Sequence, residues 1–252
     1  MKRLLLLSLA LLSALALPAA TPVRTVTDKA VGAVKYEARY ILGAINSKVA
    51  DATITLEHGK WKGSDVLHSR ATISASSIFR LFMNADYLAD VYLSPATLEP
   101  VYYLNPIRKG DQEGKIEYTF DHNAKVVRTE AIRPPADPKQ ATYPLESRTM
   151  DLLSLLQYVR FLDLDEGKSE HLHLLISGES VNATLSCEGA DAEKFPDKPS
   201  LRFRLKMVER GLMENGSGNE ITVWRSTGDD RRILGLETAL SSGVMVVTVK
   251  EP

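Results

Sequence analysis

The chain has 252 residues, 31 basic against 32 acidic, and a single cysteine, Cys187. That balance leaves no basic excess to recruit nucleic acid. One thiol makes no internal bridge, so the fold holds without disulfides, and Cys187 reads as a small buried hydrophobe in a strand.

Residues 1–20 stand apart. Lys2 and Arg3 precede an apolar run from Leu4 to Leu17, closed by Pro18, Ala19 and Ala20. This is the layout of a secretory signal peptide, with cleavage expected after Ala19 or Ala20. The run is too short for a membrane span, which needs about 20 apolar residues, and no later stretch approaches one. The remaining chain of about 230 residues suffices for one large all-β domain or two small ones.

From residue 35 onward most of the sequence has period two, the signature of half-buried strands. In KYEARYIL, Tyr36, Ala38, Tyr40 and Leu42 share a face. DATITLE and LHSRATISAS alternate in the same way. SSIFRLFMNA breaks the pattern and predicts a short helical turn near Ile78–Met83. In VYLSPATLEPVYY, Pro95 fixes a corner and Pro100 starts the next strand, where a backbone donor is not needed. KIEYTFDHNAKVVRTEA reads as a hairpin with Asp121–Ala124 at its turn.

IRPPADPKQATYP follows. Pro134, Pro135, Pro138 and Pro144 remove backbone donors and favour extended loop. The chain is therefore read as a β-rich half over 21–133, a proline-rich connection over 134–148, and a helix with a second β-rich half over 149–252. One continuous domain is the alternative. In TMDLLSLLQYVRFL, Leu152, Leu155, Leu156 and Val159 fall on one face of an amphipathic helix near 150–162, with Thr149 or Asp151 as its cap.

HLHLLIS and SVNATLSCE then flank a turn at Gly178-Glu179. SLRFRLKMVE alternates cleanly, with Leu201, Phe203, Leu205 and Met207 on one face. EITVWRS, RILGLETAL and VMVVTVK close the sequence. The expected fold is mainly β: antiparallel, as a strongly curved sheet or two packed sheets, with one helix.

The order of features resembles a bacterial exported family, the domain of unknown function 3108. The residues that carry the resemblance are YLSPATLEPVYY, DLLSLLQYVRFLD with Asp151, Ser154 and Arg160, and WRSTGDDRRILGLETALSSGVMVVTV from Trp224. Ser94 stands where many relatives carry an acidic residue, an extra residue separates Ser226 from Asp229-Asp230, and Leu234 replaces a favoured proline. The resemblance implies a secreted or periplasmic, mainly β protein with no assigned activity.

Candidate chemistry is sparse. His171 and His173 point the same way on a strand, but a metal site needs a third ligand. They read as residues of a wet face, and no metal or cofactor is expected. Asp86 with Asp90, and Asp229 with Asp230, are the acid–base pairs available. Gly228-Asp229-Asp230 is more simply a tight turn. No nucleophile elbow is present. The Arg202, Arg204, Lys206 stripe reads as a solvated strand face.

Trp224, with Arg225, Asp229 and Arg231, either rims a pocket or anchors its strand in the core. Tyr92, Tyr102 and Tyr103 raise the same question in the first half, so these seven residues are the candidate binding residues. The leading functional expectation is a non-enzymatic binding or carrier module in the cell envelope, for a lipid, another apolar ligand or an envelope protein. The alternatives are a structural or assembly protein acting through its surface, and an unrecognised hydrolase acting on glycan or lipid.

Overall fold

The computed structural model describes residues 21–76, 86–109, 112–208 and 218–250. The helical turn expected near Ile78–Met83 lies outside these residues. Along the chain come β1 (Gly32–Leu42), β2 (Ile45–Trp61), β3 (Ser64–Ala75), β4 (Asp86–Leu93), β5 (Pro100–Lys109), β6 (Gln112–Asp121), β7 (Val126–Ile132) and β8 (Lys139–Pro144). Then follow β9 (Thr149–Asp151), the helix α1 (Leu152–Phe161), β10 (Ser169–Ile176), β11 (Glu179–Asp191), β12 (Ser200–Met207), β13 (Glu220–Ser226), β14 (Ile233–Ala239) and β15 (Val244–Val249).

Among the described residues these strands form one sheet in the order β8-β7-β6-β5-β4-β3-β2-β1-β15-β14-β13-β12-β11-β10-β9. Pairing is antiparallel except between β9 and β10. Each half of the sequence builds a contiguous half of the sheet. The halves join where β1 pairs with β15, from Tyr36↔Val249 to Ile41↔Val244.

One expectation is corrected here. The proline-rich connection is not all loop, because Lys139–Pro144 pairs with β7 as an edge strand. Pro144 lies opposite Val126 at the sheet margin, where a missing N–H breaks no ladder.

The sheet curls until its two margins approach. At the β10–β11 turn, the Gly178 carbonyl accepts from Thr129 Oγ1 at 3.3 Å and from Tyr143 Oη at 3.2 Å, while Gly178 N donates to Tyr118 Oη at 3.0 Å. The β8 and β9 edges themselves do not pair, so the sheet is strongly curved but not closed. Its concave face holds the core. Leu67, Val91, Leu93, Val127, Leu174, Leu185 and Phe203 are fully buried there, each stabilising the fold by roughly 1.5–3 kcal/mol through removal from water.

Because neighbouring strands are antiparallel, their turns emerge alternately at two ends. At the lower end Val23 bridges Leu162, Arg24 N donates to Phe161 O at 2.8 Å, and Val26 and Ala30 plug the core. The upper end carries the β1–β2, β10–β11 and β14–β15 turns.

Helix α1 lies on the concave face, mostly buried. Asp151 caps it: one carboxylate oxygen accepts from Leu153 N at 2.8 Å and Ser154 N at 3.0 Å, and the other from Ser154 Oγ. Thr149, the other candidate, donates its hydroxyl to Glu146 O at 2.9 Å. Burial pushes the Asp151 carboxyl above its ordinary range, and its three donors oppose that shift. Replacing Asp151 with Ala should lower unfolding free energy by about 1–2 kcal/mol. Asp151→Asn, which still accepts from the helix N-terminus, should cost less, as read by chemical denaturation.

Candidate functional site

A helix enclosed by a sheet cannot reach water with its last carbonyls, so other groups must satisfy them. Here each has a partner. Tyr158 O accepts from Leu162 N at 2.8 Å and Phe161 O from Arg24 N at 2.8 Å. Arg225 Nη1 donates to Val159 O at 2.8 Å and to Leu162 O at 2.7 Å. Arg231 donates to Arg160 O and, at 2.8 Å, to Leu162 O. Two cations at the negative end of a helix are favourably placed for its dipole.

Arg160 completes the clamp in the other direction. Its guanidinium reaches Ala30 O at 2.6 Å, Asp230 O at 3.1 Å and Gln157 Oε1 at 2.8 Å. Gln157 in turn donates to Ser69 Oγ at 2.9 Å, and Ser69 to Thr55 O at 2.8 Å. Burial lowers the Arg160 pKa. Burial first, and the neighbouring Arg231 second, bring Arg225 down to about 9, so it stays charged at neutral pH. The Arg225 guanidinium also lies 4.7 Å over the Phe203 ring, a favourable cation–π arrangement.

Held in this way, α1 presents Leu152, Leu155, Leu156 and Val159 to a cavity of about 300 Å³. The opposite wall is Ile73 of β3 with inward residues of β11 to β15: Leu185, Leu205, Ile221, Val223, Leu236, Met245 and Val247. Leu152, Leu156, Ile73, Ile221, Leu236 and Met245 are only partly buried although they sit on the concave face. The cavity is therefore open to solvent. Its outer residues, Ile73, Ile221 and Met245, lie at the upper ends of their strands. A strongly curved sheet of many strands encloses more space than its own side chains fill, and one ten-residue helix fills only part of it. Another hollow, of about 640 Å³, lies at the lower end by Arg24, Asp163, Arg225 and Arg231. Asp163 there pairs with both Arg24 and Arg231.

The seven candidate residues do not converge. Arg225 and Arg231 meet at the helix C-terminus. Trp224, one position from Arg225, points to the convex face. It neither rims the cavity nor anchors the inner core. Its Nε1 donates to Asp191 at 3.0 Å, and Phe195 packs against it edge-on, with ring centroids 6.1 Å apart. That bond and the backbone N–H groups of Lys194 and Glu193 hold the Asp191 carboxyl below its usual range.

Asp229 is exposed and pairs with Lys29 at 2.8 Å. Asp230 instead builds the turn, accepting from Ser226 Oγ at 2.9 Å. Tyr103 is inward, stacked on Tyr118 at 4.8 Å and bonded through its hydroxyl to Tyr87. Tyr92 and Tyr102 are outward, and Trp61 stacks on both, at 4.4 and 4.5 Å.

The acid–base pairs are also occupied. Asp90 bonds His68 Nε2 at 2.6 Å and Arg70 Nε at 2.7 Å on the convex face. His171 and His173 lie on that face too, and among the described residues no cluster has metal-site geometry. Arg202 and Arg204 pair with Glu188, and Arg204 also with Glu220. The helix face of Leu152, Leu155, Leu156 and Val159 was legible from its spacing, and Leu205 from strand alternation, but alternation alone does not bring them with Ile73, Leu185, Ile221, Leu236 and Met245 around one cavity.

A family model described as "Protein of unknown function (DUF3108)" matches residues 23–245. Among solved structures, the chain is similar to the β-barrel-like protein of domain of unknown function DUF1849 from Brucella abortus. The TM-score is 0.48 at 9% identity, over 87% of this chain and 95% of that one. No curated protein matches the chain.

Arg225→Met should remove the donor shared by Val159 O and Leu162 O, leaving Val159 O without a partner and Leu162 O with Arg231 alone. The expected loss is about 2–3 kcal/mol of stability. Arg204→Met, on the solvated face, should cost under about 1 kcal/mol. Denaturant titration of the two variants checks the difference.

Proposed function

The chain belongs to the DUF3108 family, whose description names no activity, and we propose that it is an exported, non-enzymatic module that binds an apolar ligand in the cavity beside α1. The cavity carries this reading. Its lining side chains are aliphatic apart from the edge of β14 at Glu237 and Thr238, and its volume of about 300 Å³ lies at the lower end of the range usual for small-molecule sites. Such a lining offers dispersion contacts and exclusion of water, and its one carboxylate, Glu237, is paired with Lys194 at 2.6 Å, so it suits a hydrocarbon chain or ring system.

Three features support binding over catalysis. The buried polar residues around α1 have partners: Arg160, Arg225 and Arg231 hold its C-terminus, Asp151 its N-terminus, Gln157 bonds Ser69, and Tyr158 and Arg148 both bond Glu170. The carboxylates considered as acid–base candidates are paired on the convex face or in a turn. A hydrolase needs titratable groups converging on a cleft, and the cavity wall supplies aliphatic carbon.

Export is supported by the charged start at Lys2 and Arg3, the apolar run and the small residues at Ala19 and Ala20. Expression with periplasmic fractionation and N-terminal sequencing should give a mature chain beginning at Ala20 or Thr21. A retained Met1 would refute the leader.

Binding is read by titrating the purified chain with an environment-sensitive apolar fluorophore and by native mass spectrometry for a co-purifying small molecule. Leu156→Trp, which fills the cavity from the helix side, should weaken fluorophore binding at least tenfold with little change in stability. Equal binding by the wild-type chain and this variant would remove the cavity as the site.

A further inference from the structure

Arg225 is 3% exposed, yet only one of its three nitrogens has a protein partner. Nη1 donates to Val159 O and Leu162 O. Nε is buried with no acceptor, and Nη2 donates to no group among the described residues. A guanidinium carries five N–H donors, so the Nε/Nη2 edge of this one is uncommitted. Phe203 covers one face of the group at 4.7 Å. An orphaned donor on a buried cation is costly and calls for a physical reason.

The same side chain lines the hollow of about 640 Å³ at the lower end, a volume usual for small-molecule sites. The charges of this hollow are layered. Arg225 and Arg231 are buried, Asp163 is half-buried, and Arg24, Asp165 and Glu166 are exposed at the rim. Asp163 pairs with Arg24 at 2.7 Å and with Arg231 at 3.3 Å. Of the three arginines, Arg225 alone has no carboxylate in contact among the described residues. Leu164, buried, and Leu201, half-buried, add an apolar wall.

We propose that this hollow binds a small molecule bearing a carboxylate, which accepts from Nε and Nη2 of Arg225 while the rest of the molecule lies against Leu164 and Leu201. The side-on edge of a guanidinium matches the two oxygens of a carboxylate in spacing and plane, and two charge-assisted bonds form there. The anion also offsets the repulsion between Arg225 and Arg231. The rim selects the class of anion. Asp165 and Glu166 repel a phosphate dianion about twice as strongly as a carboxylate, and the apolar wall offers phosphate nothing. This site differs in chemistry from the cavity beside α1, and the two share no lining residue.

The experiment is an NMR titration of the mature chain, with isotope-labelled arginine and benzoate as the probe. Benzamide, similar in shape but uncharged, and inorganic phosphate at matched ionic strength are the comparisons. The Nε–H resonance of Arg225, identified by its proximity to the Phe203 ring, should move saturably downfield with benzoate. Benzamide and phosphate should each bind at least tenfold more weakly. Arg225→Lys keeps the charge and a donor for the helix carbonyls but lacks the two-pronged edge. It should bind benzoate at least tenfold more weakly, with a smaller loss of stability than Arg225→Met. Asp165→Asn/Glu166→Gln changes only exposed positions, so the clamp stays intact, and it should tighten benzoate binding about twofold or more at low salt. If Arg225→Lys does not fold, this rim variant and the wild-type shift decide.

No saturable shift at Arg225, equal binding of benzamide, or tighter binding of phosphate overturns the proposal. So does a benzoate affinity that neither the lysine nor the rim variant changes. Benzoate binding that weakens in Leu156→Trp but not in Arg225→Lys would put the carboxylate in the cavity beside α1 and overturn it too. A chain that binds benzoate at Arg225 but no apolar fluorophore keeps this site and refutes only the cavity.

Discussion

The structure depends on how a helix can end inside a curved sheet. An α-helix has unsatisfied carbonyls at its C-terminus, and at the surface water takes them. Helix α1 ends against the lower plug of the fold, so side chains and the N-terminal segment take them instead. Arg225 comes from the end of β13 and Arg231 from the turn that follows it, Arg24 from the segment before β1, and Arg160 reaches back to the same turn. One cluster thereby fixes the helix position, the conformation of the 227–232 turn and the course of the N-terminal segment. Burying three guanidinium groups is costly, and each offsets that cost by donating to carbonyls that would otherwise be buried unpaired.

This arrangement gives the two ends of the molecule different characters. At the lower end, polar groups are numerous and, one edge of Arg225 apart, partnered, and Val23, Val26 and Ala30 plug the core. At the upper end no such plug exists among the described residues, and the helix turns an apolar face toward an open space. A cavity and a rigid clamp are thus consequences of the same placement: α1 is pinned low and on one side, leaving the opposite wall of β12 to β15 uncovered. The motif residues Asp151, Ser154, Arg160, Ser226 and Asp230 all serve the pinning. They hold helix ends and a turn.

The convex face carries its own small clusters. Trp61 stacks on Tyr92 and Tyr102, and the 192–199 connection folds Phe195 over Trp224. These aromatic residues mislead a reading of sequence alone. Alternation shows that Tyr92 and Trp224 share a face with polar neighbours, but not that a distant segment returns to cover them. Leu98 is the converse case: it lies in a proline-bracketed corner, where exposure is expected, yet it packs in the core at 1% exposure with a positive φ of 58°. The corner itself was legible from Pro95 and Pro100. Its inward reach depends on the curvature of β4 and β5.

By itself the sequence determined the strand-rich character, most strand faces, the helix and its apolar side, the absence of a disulfide and the turn at Asp230. All of these are local properties, set by period-two or period-3.6 alternation, by capping chemistry and by the backbone limits of proline and glycine. Tertiary structure decided the rest: that β1 and β15 join the halves, that Lys139–Pro144 becomes an edge strand, that Arg225 turns inward while Trp224 turns outward to a covering loop, and that Ile73 and Met245 share a cavity. The physical reason is that alternation specifies two faces of a strand but not which becomes concave. That choice depends on the curl of the whole sheet and on where the enclosed helix finds partners for its ends.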